Sequence, residues 1–116
     1  MKPKFSTYNQ GVLWICETDN EASSFNAPRN PTASTDMKKV QRLDFNEVSK
    51  RGQDLDFAES KDRSLTMKVK TRIHPSATED RQVLIGKELY DIFKVDPDVI
   101  GGKDMYLFLE KVRTLT

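Results

Sequence analysis

Hydrophobic and polar residues alternate most regularly in the last third of the chain, and the alternation defines strands. Ser64 to Arg72 places Leu65, Met67 and Val69 on one face and Thr66, Lys68, Lys70 and Arg72 on the other, the pattern of a half-buried strand. Gln82 to Ile85 runs into Gly86-Lys87 and leaves through Glu88 to Phe93. A Gly leading a two-residue connection predicts a type II′ hairpin turn, whose twist suits antiparallel partners. A second turn is predicted at Asp96-Pro97-Asp98 with Gly101-Gly102, ahead of Met105-Tyr106-Leu107-Phe108-Leu109. The C-terminal half therefore reads as an antiparallel meander.

Two further strands are predicted upstream. Gly11 to Glu17 sets Val12, Trp14 and Cys16 against Leu13 and Ile15, so both of its faces look covered; Lys38 to Val48 sets Leu43 and Phe45 against Arg42, Asp44 and Asn46. The sum is an all-β fold, a small antiparallel β-barrel of about five or six strands in a single domain spanning residues 1–116. Its expected core is Trp14, Leu43, Phe45, Leu65, Met67, Val69, Val83, Ile85, Ile92, Leu107 and Leu109. Two polar stretches interrupt the strands. Asp19 to Asp36, with Pro28 and Pro31 and only Phe25 as an anchor, reads as a long flexible loop. Ser49 to Asp62 is too polar for a core strand. Within it, Gln53 to Ser60 is long enough for about two helical turns, marginal in isolation, so a loop with a short or inducible helix is expected. No expected core residue falls in Gln53–Ser60, so its deletion is expected to spare the barrel.

Composition narrows the function. With 36% hydrophobic and 32% charged residues in 116, the core is modest, which suits a domain that finishes its burial against a partner and is largely monomeric until it meets one. A net charge of +1 provides no overall field toward nucleic acid or an acidic membrane. No signal peptide or run of eighteen apolar residues is legible, so synthesis in the cytoplasm and no membrane partner are expected. Cys16, the one cysteine, lies in the apolar run Val12–Cys16 and reads as a buried structural thiol.

Candidate chemistry is sparse. His74, the one histidine, precedes Pro75 and reads as a turn residue; one His and one Cys make no metal cluster, and the glycines match no phosphate-binding fingerprint. Asp96 and Asp98 read as turn residues. No catalytic, cofactor or metal residue is assigned, and the chain is expected not to be an enzyme. Lys68, Lys70 and Arg72 form a basic strand face that could contact DNA, as in an OB-like single-strand binder. Their neighbours Thr66 and Thr71 offer no stacking surface, which favours a solvated or subunit-contacting face.

The order of parts resembles the head completion, or stopper, proteins of long-tailed bacteriophages, within the head-tail joining group of small β-barrels. The residues that carry the likeness are Leu43-Asp44-Phe45-Asn46-Glu47-Val48, the polar stretch after them, Met67-Lys68-Val69-Lys70-Thr71-Arg72, the Pro75 turn, Val83-Leu84-Ile85-Gly86, Leu89-Tyr90-Asp91-Ile92, Asp96-Pro97-Asp98 and Met105 to Glu110, about the last two thirds of the chain. Many relatives carry a Trp just before the polar stretch, where this chain has Phe45. The resemblance implies a virion protein of the head-to-tail interface: a homo-oligomeric ring docked below the portal and adaptor rings, closing the channel on packaged double-stranded DNA and offering a surface to tail completion or tail tube proteins. It also implies that Ser49–Asp62 faces the channel, with Lys50, Arg51, Gln53, Asp54, Leu55, Asp56, Phe57 and Glu59 as its site residues. A near-neutral segment suits that place, since lysines paired with phosphates would hinder DNA exit. A tail completion protein of the same junction is the neighbouring reading.

Overall fold

In the computed structural model the described residues are 11–17, 37–98 and 101–115. Among them the chain runs β1 (Gly11–Cys16), β2 (Lys39–Val48), α1 (Gly52–Ser60), β3 (Met67–Arg72), β4 (Gln82–Ile85), β5 (Glu88–Pro97) and β6 (Asp104–Thr114). The strands close into one antiparallel barrel in the order β1-β2-β3-β6-β5-β4. It is two three-stranded meanders, β1-β2-β3 and β4-β5-β6, sealed where β3 pairs with β6 and β1 with β4. Every strand therefore has a neighbour on each side, which suppresses the open edges that would recruit other strands. The loop expected at Asp19–Asp36 lies outside the described residues.

Period-two alternation decides what enters the barrel. Leu13, Ile15, Val69, Val83, Leu107 and Leu109 are fully buried, joined by Leu43, Phe45, Tyr90, Ile92 and Met105. Met67 and Ile85 sit at the margin of this core, partly buried. Two expected core residues lie elsewhere. Leu13 and Ile15 take the inward positions of β1, so Trp14 points outward and packs, half-buried, beside Cys16, Met37, Leu84, Leu89 and Leu115 on the outer wall. Leu65 is buried on the outer wall too, beneath α1.

The Gly86-Lys87 hairpin has the expected geometry: Ile85 faces Glu88, Gly86 has φ of 61°, and Lys87 does not share the positive φ, which distinguishes type II′ from type I′. The second reversal differs from its reading. Pro97 belongs to β5, facing Met105, and the chain turns only after Asp98, whose carbonyl accepts the Gly102 N–H at 2.8 Å. The missing N–H of Pro97 costs the β5–β6 ladder nothing, since the Asp98 N–H still donates to the Asp104 carbonyl at 2.9 Å. β5 also carries a bulge: Ile92 faces Leu109 and Lys94 faces Phe108, leaving Phe93 as an extra residue. Ile92 and Val95 both contact the interior, so Phe93 and Lys94 are both turned to the outer wall.

Two substitutions test this account. Leu107→Ala empties a fully buried position in β6 and should cost about 2–5 kcal/mol in urea unfolding. Gly86→Ala meets no atom within 4 Å, so its expected loss of about 1–3 kcal/mol comes from backbone conformation alone. A neutral Gly86→Ala would contradict the type II′ assignment.

Candidate functional site on the outer barrel wall

The outward residues of β3, β5 and β6 make a platform, and α1 lies on it. Arg51 is extended (φ −89°, ψ 162°) and its carbonyl accepts the N–H groups of Asp54 and Leu55 at 3.0 and 3.1 Å, which starts the helix. The Asp54 carboxylate accepts the Arg51 N–H at 2.9 Å, satisfying a donor at the helix entrance. At the far end Asp62 adopts φ of 55° and the Arg63 N–H returns to the Ala58 carbonyl at 2.9 Å, turning the chain toward β3.

Beneath the helix the decisive contact is ionic. Lys68 Nζ donates to Asp54 Oδ2 at 2.9 Å, and both side chains are only 5% exposed. The ammonium also lies over the rings of Tyr106 and Phe108, at 4.9 and 5.2 Å from their centroids. Burial alone would raise the Asp54 carboxyl, but the Lys68 hydrogen bond, the Arg51 N–H and the charges of both cations outweigh it and hold the group below its ordinary value of 3.8. Beside the pair, Phe57 stacks on Phe93 at 6.4 Å, and Phe108 meets both edge-on at 6.0 Å. Lys94 covers Phe57 and Phe108 at 4.3 and 4.9 Å. Arg63 then fastens the exit of the helix, pairing with Asp91 at 3.2 Å and Glu110 at 2.7 Å.

The sequence-assigned site residues thus divide. Gly52–Ser60 is a docked helix, and Asp54 and Phe57 are its inward anchors. Lys50, Arg51, Gln53, Leu55, Asp56 and Glu59 remain exposed. The basic strand face is corrected: Lys68 is buried under α1, Lys70 pairs with Asp104 at 3.6 Å, and only Arg72 of the three is exposed. Gln53–Ser60, whose deletion is expected to spare the barrel, supplies no residue of the inner core but does supply the cover of the outer wall. Its loss would strip Lys68 of its carboxylate and bare Phe93 and Phe108. Sequence reasoning missed Phe93, Lys94 and Phe108 as parts of this platform. A signal was present, since inward apolar residues of β5 recur at Tyr90, Ile92 and Val95, a step of two followed by a step of three.

Elsewhere the polar groups have structural tasks. His74 Nδ1 accepts the Ser76 N–H at 3.1 Å and lies 2.8 Å from its hydroxyl, closing the turn around Pro75. Burial pushes the Cys16 thiol up to about 11, against the opposing pull of Lys39, so it is a poor nucleophile at neutral pH. Among the described residues no three His, Cys, Asp or Glu side chains gather as metal ligands, and no helix is long and apolar enough to cross a membrane.

No protein-family model matches the chain, and a search of curated proteins finds no match. Among the described residues the barrel presents one pinned helix whose exposed residues are polar except Leu55.

The ion pair yields a cycle of substitutions with opposed outcomes. Asp54→Ala leaves Lys68 buried and uncompensated and should cost about 3–5 kcal/mol, whereas Asp54→Leu with Lys68→Met should restore wild-type stability or exceed it. Because the folded-state pKa of Asp54 is depressed, its contribution is present in full above 3.8 and lost as the pH falls below that through the lowered value. Unfolding measured from about pH 6 to pH 2 should therefore show a steeper acid loss for wild type than for the apolar double variant. Parallel profiles would show that the pair does not fasten the helix.

Proposed function

We propose that this chain is a structural subunit of the head-to-tail connector of a long-tailed bacteriophage, a head completion protein whose ring closes the DNA channel below the portal and adaptor and receives the tail. One observation supports the reading above others: the one helical excursion among the described residues leaves the barrel between β2 and β3, where the resemblance puts its channel segment. The helix is held by a buried ion pair and a cluster of three aromatic rings, so copies arranged around an axis would present firm obstacles. Its outward flank, Gln53 and Asp56 with Lys50 and Arg51 at the entrance, mixes charges and offers no row of cations to grip phosphates. Asp54 does not enter that balance, because Lys68 neutralises it inside.

A single-strand nucleic-acid binder fits less well, since its proposed face has lost Lys68 beneath α1 and Lys70 to Asp104. Fluorescence titration with single-stranded DNA should give no saturable binding at moderate salt, and tight binding there would favour that alternative. The direct test is genetic. In the phage encoding the chain, an amber lesion in its gene should give heads that package DNA and then release it, together with unattached tails. Full heads joined to tails in the absence of the protein would refute the proposal.

A further inference from the structure

Four large apolar side chains are more than a third exposed among the described residues: Val40, Leu55, Ile73 and Val112. Two of them sit among charges of opposite sign. Leu55, 48% exposed, forms with Ala58 and Leu65 the apolar side of a groove of about 300 Å³ whose rim carries Glu59 and Asp62. Arg63 also borders this groove, but Asp91 and Glu110 hold it. Ile73, 40% exposed, follows β3 and is flanked by exposed Arg72 and by exposed Lys103, whose carbonyl accepts the Ile73 N–H at 2.9 Å. At the adjoining β5–β6 reversal, Asp104 pairs with Lys70 and Asp98 accepts the Gly101 N–H at 3.3 Å. Glu59, Asp62, Arg72 and Lys103 have no ion-pair partner among the described residues. A larger cleft beside β5 offers no such asymmetry, because Lys61, Arg63 and Arg81 there face Glu79, Asp80 and Asp91.

The two patches lie at opposite ends of β3, whose six residues span about 20 Å. One is a shallow groove with Leu55 as its exposed apolar residue and an acidic rim, and the other an exposed apolar residue with basic neighbours. Complementary patches at opposite ends of one molecule generate a head-to-tail contact, which closes into a ring when the rotation between copies permits. We infer that copies of this chain join in this way, Ile73 of one copy seated against Leu55, Ala58 and Leu65 of the next, with Arg72 and Lys103 opposite Glu59 and Asp62. The contact uses the Leu55–Glu59 flank of α1 and leaves Gln53 and Asp56 to the other flank. It deepens the ring reading and rests on it only for closure into a ring; the pairwise contact stands on the two patches.

Cysteine cross-linking tests the pairing, since the buried Cys16 thiol is silent toward a bismaleimide. A mixture of Leu55→Cys and Ile73→Cys proteins should give a covalent dimer that stops at two, and the double variant L55C/I73C a ladder of higher oligomers. Val40→Cys in place of Ile73→Cys is the control. Adding Glu59→Lys and Asp62→Lys to the Leu55→Cys protein should abolish most of the dimer. Adding Arg72→Glu and Lys103→Glu to the Ile73→Cys protein as well should bring it back. A yield no greater than the Val40→Cys control, or one indifferent to the charge reversals, would overturn the inference. Failure of the connector reading is seen separately: virions that keep their DNA without the protein would refute that reading, whatever the cross-linking shows.

Discussion

Lys68 is the constraint on which the outer architecture depends. It occupies an outward position of β3, yet the platform of Phe93, Tyr106 and Phe108 around it is too apolar to be left to solvent. Once that platform is covered, the ammonium loses water and needs a carboxylate brought by the cover itself. Asp54 meets that demand while also accepting the Arg51 N–H, so one carboxylate starts the helix and fastens it. Propensity alone would leave nine residues of this composition largely unfolded, and the helix exists because the barrel wall requires its acid.

This arrangement separates the two layers of the molecule. Inside the barrel the cohesion is mainly aliphatic, with Phe45 and Tyr90 added, and follows strand alternation. Outside, between wall and helix, it is aromatic and ionic. The inner cluster holds no acid or cation, its titratable group being the Tyr90 phenol that burial pushes up, whereas the outer layer contains the buried acid Asp54, whose carboxyl folding holds down. Conditions that loosen the helix therefore differ in kind from those that melt the barrel.

The barrel itself was readable because one-sided burial writes itself into a period of two: Leu43, Phe45, Val69, Leu107 and Leu109 all lie where alternation puts them, and Gly86 marks its turn. What alternation does not encode is whether the other face is wet. Lys68, Lys70 and Arg72 share a period and a charge, but α1 covers the first, Asp104 engages the second, and only the third is exposed. In β1, where apolar residues occupy both faces, the pattern carries no preference between them: Trp14 is expected in the core, yet Leu13 and Ile15 take the interior. The helical segment was legible as a possible helix; its inward residues were not, because Asp54 looks like any surface acid until Lys68 is seen across from it.

The bulge at Phe93 has an evolutionary reach beyond its local geometry. By admitting one unpaired residue, β5 switches which parity of its sequence faces the interior, so that positions before and after the switch answer to different partners. Phe93 and Lys94 can then change with α1 while Ile92 and Val95 stay tuned to the barrel. A lineage diversifying its external helix, to suit a different neighbour, can do so without renegotiating the packing of the scaffold that carries it.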